Sequence, residues 1–280
     1  PASSITISGT ADGNNGATVR YAINNSLGSE TTTISSGTWE ITDVPPPSPG
    51  DVITVWVDNV SDAAESTAVT KFSNGNITGL TLNTNILTIG SNQNTSLSIS
   101  DLDSYDCSQD EDIMHQAASS HLLVTGNSCF GSSTNSYSTP GLQILASNTL
   151  TLADTHELTT HNLTLAGTLT SSDSPIINVS GNWTNTGTFT SAASTFNLTG
   201  ADSTTQTLSG STTFYNLSAT TSANSAGRTV RYTAGTTQTV NGTWTMQGAS
   251  GKILTLESSA ASIWTINPAN AALTYLSVSY

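Results

Sequence analysis

The chain is poor in charge. Only 9% of its 280 residues are charged, nineteen acidic against five basic, and the formal net charge is −14. Soluble domains usually carry about 25% charged residues, so solubility here rests on uncharged Ser, Thr and Asn. The scarcity of cations excludes nucleic acid and anionic membrane surfaces as partners, because both are held through Lys and Arg. No apolar run approaches the roughly 20 residues that a membrane-spanning helix needs, so no membrane insertion is expected. There are only two cysteines, Cys107 and Cys129. They do not offer the closely spaced Cys and His ligands of a zinc centre, but they suit one disulfide. With the Lys-poor, Thr-rich surface, a disulfide places the chain at an extracellular or cell-surface site. A chain with so little apolar material folds best where backbone hydrogen bonds and narrow cores do most of the work. Stacked β-strands meet that condition and helices do not, so the expected class is all-β.

Residues 1–84 are short alternating segments between strong turns. Ile5 and Ile7 share one face, as do Ile53, Val55 and Val57, the period of two of half-buried strands. "DGNNG" and "PPPSPG" mark turns, and the whole reads as a small β-sandwich. The stretch "SGTWEITDVPP" resembles the Gly-x-aromatic-x-apolar-x-x-Val-Pro segment of carboxypeptidase-regulatory-like and Ig-like surface modules. Residues 85–140 hold both cysteines and a cluster of acids. They read as an acidic cap or linker stapled by a Cys107–Cys129 disulfide. "DEDIMHQAAS" reads as a helix, with Asp110 to Asp112 at its N-terminus, where the helix dipole favours negative charge.

Repeats fill residues 141–280. An Asn-(Leu or Val)-(Thr or Ser) triplet recurs at Asn162, Asn178, Asn197 and Asn216, spacings close to one coil of a β-solenoid. Alternation sends Ile177 and Val179, Phe196 and Leu198, and Tyr215 and Leu217 inward, with Asn178, Asn197 and Asn216 outward in one column. These three also match N-glycosylation acceptors. Val179-x-Gly-x-Trp183 is echoed by Val240-x-Gly-x-Trp244, and Trp183, Trp244 and Trp264 read as core residues. The run from "GNWTNTGTF" to "NGTWTMQG" resembles the parallel β-helix repeats of bacterial surface and adhesin-like proteins. That resemblance implies a secreted or surface-anchored stalk. The expected architecture is an N-terminal β-sandwich followed by a capped parallel β-solenoid.

Chemical constellations are sparse. Asp101, Asp103, Asp106, Asp110 and Asp112 offer hard oxygen ligands that suit a structural calcium, without the glycine and terminal Glu of an EF-hand loop; no other cofactor is called for. In "HELTTH", His156 and His161 are five apart in a strand-like setting, unlike the four-residue helical spacing of zinc proteases. They read as two exposed histidines. The parallel β-helix fold also serves polysaccharide lyases and hydrolases, which use converging carboxylates and cations. Here Asp154, Glu157, Asp173, Asp202 and Glu257, with Arg228, Arg231 and Lys252, are scattered and read as lone solvated charges. The sequence therefore points to a non-catalytic structural protein, a surface stalk or self-assembling filament subunit. A carbohydrate-binding adhesin that holds polysaccharide is the alternative, and an enzyme a weaker one. Leu276 and Val278 carry the inward pattern to within two residues of Tyr280, so the last coil is expected to need cover. Either the solenoid continues in a longer protein or the end is covered by another subunit, and the partner expected there is a second copy, head to tail, or another surface protein.

Overall fold

The computed structural model describes residues 4–61, 64–118, 120–126, 140–221 and 226–279. It is all-β, with 55% strand, 2% helix and, among the described residues, no sheet closed into a barrel. The chain forms two compact units, Pro1–Thr151 with Ala166–Thr168, and Leu152–Leu165 with Leu169–Tyr280.

In the first unit, strand Ile5–Ala11 lies between Thr38–Val44, antiparallel, and Ile77–Leu82, parallel. Ile7, Trp39, Ile41 and Leu80 from this sheet pack against Val19, Tyr21, Ile53, Val55 and Val57. The latter belong to a second sheet whose strands Thr18–Ile23, Val52–Asp58 and Ser66–Lys71 pair antiparallel. The period of two thus builds a sandwich. Val52–Asp58 is buried along its whole length. Its odd-numbered residues face the sandwich core, while Trp56 faces the other way, where it stacks on Tyr105 at 5.4 Å and meets Ile113. The acidic segment therefore covers the outer face of this sheet. Ser66–Lys71 is where the pairing changes. It is antiparallel to Val52–Asp58 on one side and parallel to Ile86–Ile89 on the other, and Ile86–Ile89 pairs parallel with Gly141–Ile144.

The helix expected in "DEDIMHQAAS" does not form. Asp110 lies in irregular chain, Glu111 and Asp112 lie in a turn, and His115–Ala118 is a strand paired antiparallel with His121–Val124. Tertiary contacts override the local preference. Asp106 takes the backbone N–H of Ala117 at 2.9 Å, Thr67 Oγ1 takes that of Met114 at 3.0 Å, and Ala117 faces Leu122 across the hairpin. The helix found is shorter and earlier, Ile99–Leu102. The Asp101 carboxylate accepts the backbone N–H of Ser98 at its start at 2.7 Å.

The second unit is a stack of parallel coils. One ladder runs through Glu157–Thr160, Ile176–Val179, Thr195–Leu198, Asn216–Thr220, Thr237–Gln247 and Thr265–Thr274. The other runs through Leu163–Leu165, Trp183–Asn185, Thr205–Ser209, Arg228–Tyr232, Leu254–Ser258 and Leu276–Val278. Leu158, Ile177, Phe196, Leu217, Trp244 and Ala271 are successive partners in the first ladder, so the coil lengthens from 19 residues to 27. The echoed motif takes two geometries. Val179 and Trp183 end one strand and begin another in a different ladder, whereas Val240 and Trp244 share the strand Thr237–Gln247, which bulges between Val240 and Thr243. Trp183 anchors an aromatic core with Phe196 at 5.1 Å and Phe189 at 5.8 Å, and Phe196 meets Phe214 at 5.0 Å.

Candidate functional site

The five aspartates singled out from sequence separate in space. Asp101 holds the start of the short helix and pairs with Lys71 at 2.8 Å. Asp106 is buried and accepts the Ser108 N–H at 2.8 Å, the Ser108 hydroxyl at 2.6 Å and the Ala117 N–H at 2.9 Å, which ties the chain from 106 to 117 together. Asp103 stands largely exposed after the helix, and partial desolvation and the neighbouring Asp106 raise its carboxyl pKa. Only Asp110 and Asp112 come together, and the third member of their group is Asp58. Ligand oxygens of Asp58, Asp110 and Asp112 all lie within 4.8 Å of one another, and among the described residues this is the one such group.

Asp58 could not be read as a partner from sequence, because it ends the strand Val52–Asp58 and only the docking of the acidic segment brings the others to it. Burial pushes the Asp110 and Asp112 carboxyls up, and the neighbouring carboxylates push further. Opposing this, the Asp112 carboxylate accepts the Asn59 N–H at 2.7 Å, Asp110 accepts the Asp112 N–H at 3.1 Å, and Arg20 Nε sits 2.7 Å from Asp58 Oδ2. The oxygens suit a hard cation chemically, but Arg20 and these N–H groups already counter part of their charge.

Cys107 is buried, with its N–H donated to the His115 carbonyl at 2.9 Å. Cys129 lies outside the described residues. The two histidines of "HELTTH" do not converge. His156 Nδ1 accepts the Ala153 N–H at 2.9 Å, and His161 Nδ1 contacts Ser180 Oγ at 3.0 Å.

Among the charges of the second unit, Arg228 departs from its reading as a solvated cation. It is only 4% exposed and donates to the carbonyls of Leu198 and Gly200 at 2.6 and 3.0 Å and to Gln206 Oε1 at 3.2 Å. The apolar-x-apolar pattern put Val230 and Tyr232 inside, and Arg228 is on the same face of the strand. Coil corners expose carbonyls inside the stack, and only a long donor reaches them. Arg231, on the opposite face, pairs with Glu257 at 2.7 Å.

The asparagine column holds for two members. Asn178 and Asn197 are register partners, with Asn197 Nδ2 donating to Asn178 Oδ1 at 2.9 Å and Asn178 Nδ2 to Glu157 Oε1 at 2.6 Å. Asn216 leaves the column, because Asn197 pairs with Ser218 and Asn216 with Thr195. The chain bends after Phe214, which sends Phe214 and Leu217 inward and leaves Tyr215 exposed rather than buried. Asn216 instead offers Oδ1 to the Thr243 N–H at 2.9 Å, beside the bulge. Asn162 and Asn182 do the same at another corner. Asn162 Oδ1 takes the Asn182 N–H at 2.7 Å, and Asn182 Oδ1 takes the Thr207 N–H at 2.8 Å.

Trp183 is fully buried and Trp244 nearly so, while Trp264 is half-buried and stacks on Tyr232 at 4.1 Å. The last coil differs from those before it. Leu254, Leu256 and Met246 are fully buried, whereas Ile266 and Leu276 are half-buried, Val278 is 66% exposed and Ile263 is 74% exposed. Charge is also uneven. Fourteen of the nineteen acids and two of the five basic residues belong to the first unit, so it carries −12 and the second unit −2. No family model matches the chain, and no curated protein or solved structure matches it. Its long parallel strand stacks are compatible with a β-solenoid.

Proposed function

We propose that the chain is a non-catalytic structural protein of an extracellular surface, a stalk or filament subunit. The observation that supports this best is the use made of polar side chains in the second unit. Asn162, Asn182, Asn216, Gln206 and Arg228 each bind the backbone of a neighbouring coil. Glu157 and Glu257 are engaged by Asn178 and Arg231. Polar groups here serve cohesion along the stack, as a load-carrying rod requires.

The partner in this reading is a second copy, bound through the coil that exposes Ile263 and Val278. A contact between this coil and the first unit of the next copy sets −2 against −12, whereas joining two first units would set −12 against −12. A head-to-tail contact extends into a filament if its rotation does not close a ring. Light scattering of the purified chain across a concentration series tests it. Mass is expected to rise with concentration and to stay monomeric in the Ile263→Lys, Val278→Lys double variant. A wild-type chain that remains strictly monomeric at high concentration overturns the assembly.

A further inference from the structure

The outer face of the three-stranded sheet in the first unit carries a shallow, open hollow of about 510 Å³. It is built by register. Ser8 pairs with Glu40 and Thr10 with Thr38, and because Ile7, Trp39 and Ile41 point into the sandwich, alternation turns these four side chains outward. Thr32 and Thr33 stand along one side. At the other side the pairing slips between Ile7 and Gly9, where Gly79 takes a φ of +72°. A Cβ on Gly9 would meet the Leu80 carbonyl oxygen at 2.1 Å. Gly9 thus lets the two strands close behind the hollow, and bulges of this kind re-aim nearby side chains.

We infer that this hollow binds a neutral saccharide. Among the described residues, no side-chain hydrogen bond engages Ser8, Thr10, Thr33 or Glu40. This contrasts with the asparagines of the second unit, which are committed to neighbouring coils. Each hydroxyl both donates and accepts, whereas the Glu40 carboxylate only accepts. Such a set is matched by a ligand whose groups also do both, with two adjacent hydroxyls able to donate to one carboxylate. No cation lines the hollow and its unit carries −12, which disfavours phosphate, sulfate and uronate ligands. Trp39 is the one large apolar residue of its lining, and it is 4% exposed and packed in the sandwich core, so the hollow has no exposed apolar pocket to seat the alternate residues of an added peptide strand.

The site is independent of the stalk reading, and so is its test. The full chain is titrated calorimetrically with hexasaccharides of β-1,4-glucan, β-1,4-mannan, β-1,4-xylan and α-1,4-glucan, with oligogalacturonate as the anionic control. At least one neutral series is expected to bind at millimolar concentration or below, and oligogalacturonate is not. Glu40→Gln is expected to weaken binding about tenfold, the loss of one charge-assisted hydrogen bond. Thr10→Tyr, which fills the hollow from an exposed position, should abolish it with the melting temperature unchanged. If that variant unfolds, Thr33→Tyr blocks the same space from the facing side. The inference is overturned by silence of every neutral series up to ~10 mM, by binding that survives the filled hollow, or by equal binding of oligogalacturonate.

Discussion

Asn182 Oδ1 accepts the backbone N–H of Thr207, one coil further along, at 2.8 Å, and Asn162 does the same for Asn182 at 2.7 Å. At a corner the strand ladder is interrupted, and an N–H left there has no carbonyl opposite it. A short amide side chain fills the gap. Repeating the device on successive coils lets a polar sequence turn corners without orphaned backbone.

Replacing Asn162 or Asn182 by Ala is expected to cost about 1 kcal/mol each, the usual net value of such a bond at a partly exposed site. Asp at either position keeps the acceptor and should retain most of the stability. Urea denaturation of the two Ala and two Asp variants checks this, and equal losses for Ala and Asp would show that the acceptor is not what matters.

Trp183 is fully buried among Phe189, Phe196 and Phe214, and its Nε1 donates to Thr212 Oγ1 at 3.0 Å. Trp183→Ala should cost about 3–5 kcal/mol, the range for large aromatic deletions in a core. Trp264→Ala, at the half-covered last coil, should cost clearly less. Thermal melts of both variants give the comparison.

His115 is fully buried, with Nε2 3.1 Å from the Leu102 carbonyl, and burial pushes its pKa down to about 4 against the raising effect of Asp106. A lowered histidine pKa contributes stability above the unfolded value of about 6.5, and that stability is lost as pH falls toward 4. The expected loss is about 2 kcal/mol between pH 7.5 and pH 5. Asp103, Asp110 and Asp112 work the other way, since their raised pKa values favour the folded state as pH falls. His115→Leu should therefore abolish the loss or reverse its sign, which denaturant midpoints at the two pH values will show.

Cys107 and Cys129 are expected to form a disulfide closing a loop of 21 intervening residues. The bridge should contribute about 3 kcal/mol on loop-entropy grounds. Mass spectrometry after alkylation of unfolded, non-reduced chain should find no modified cysteine, and two labelled thiols would contradict the bridge.

The sandwich and the coils were legible because both rest on alternation. Ile5 and Ile7, Ile53 and Val55, and Ile177 and Val179 face inward as their spacing requires. The helix at 110–119 was misread because Asp110 to Asp112 look like a helix start, while the bonds that decide the segment come from Asp106 and Thr67. Of the aspartate group, Asp110 and Asp112 were visible as neighbours in sequence. Asp58 was not, because nothing local links a strand end to a loop that packs on it. Tyr215 and Asn216 were placed wrongly for a related reason. A triplet at a steady interval says nothing about a bend after Phe214 that shifts the register by two.

By itself, the sequence determined the class of this protein, its period of two, the inward identity of Trp183 and Trp244, and the lack of cations that sets its charge. These follow from composition and from side chains within a few residues of each other. Tertiary structure alone decided which coil residues become register partners, which amides hold corners, that Arg228 is a buried donor, and that Asp58 joins Asp110 and Asp112. Each of these depends on backbone groups left unpaired at a turn or a bulge. Where such groups fall is set by how one coil stacks on the next, and coils of 19 to 27 residues put that information beyond any local pattern.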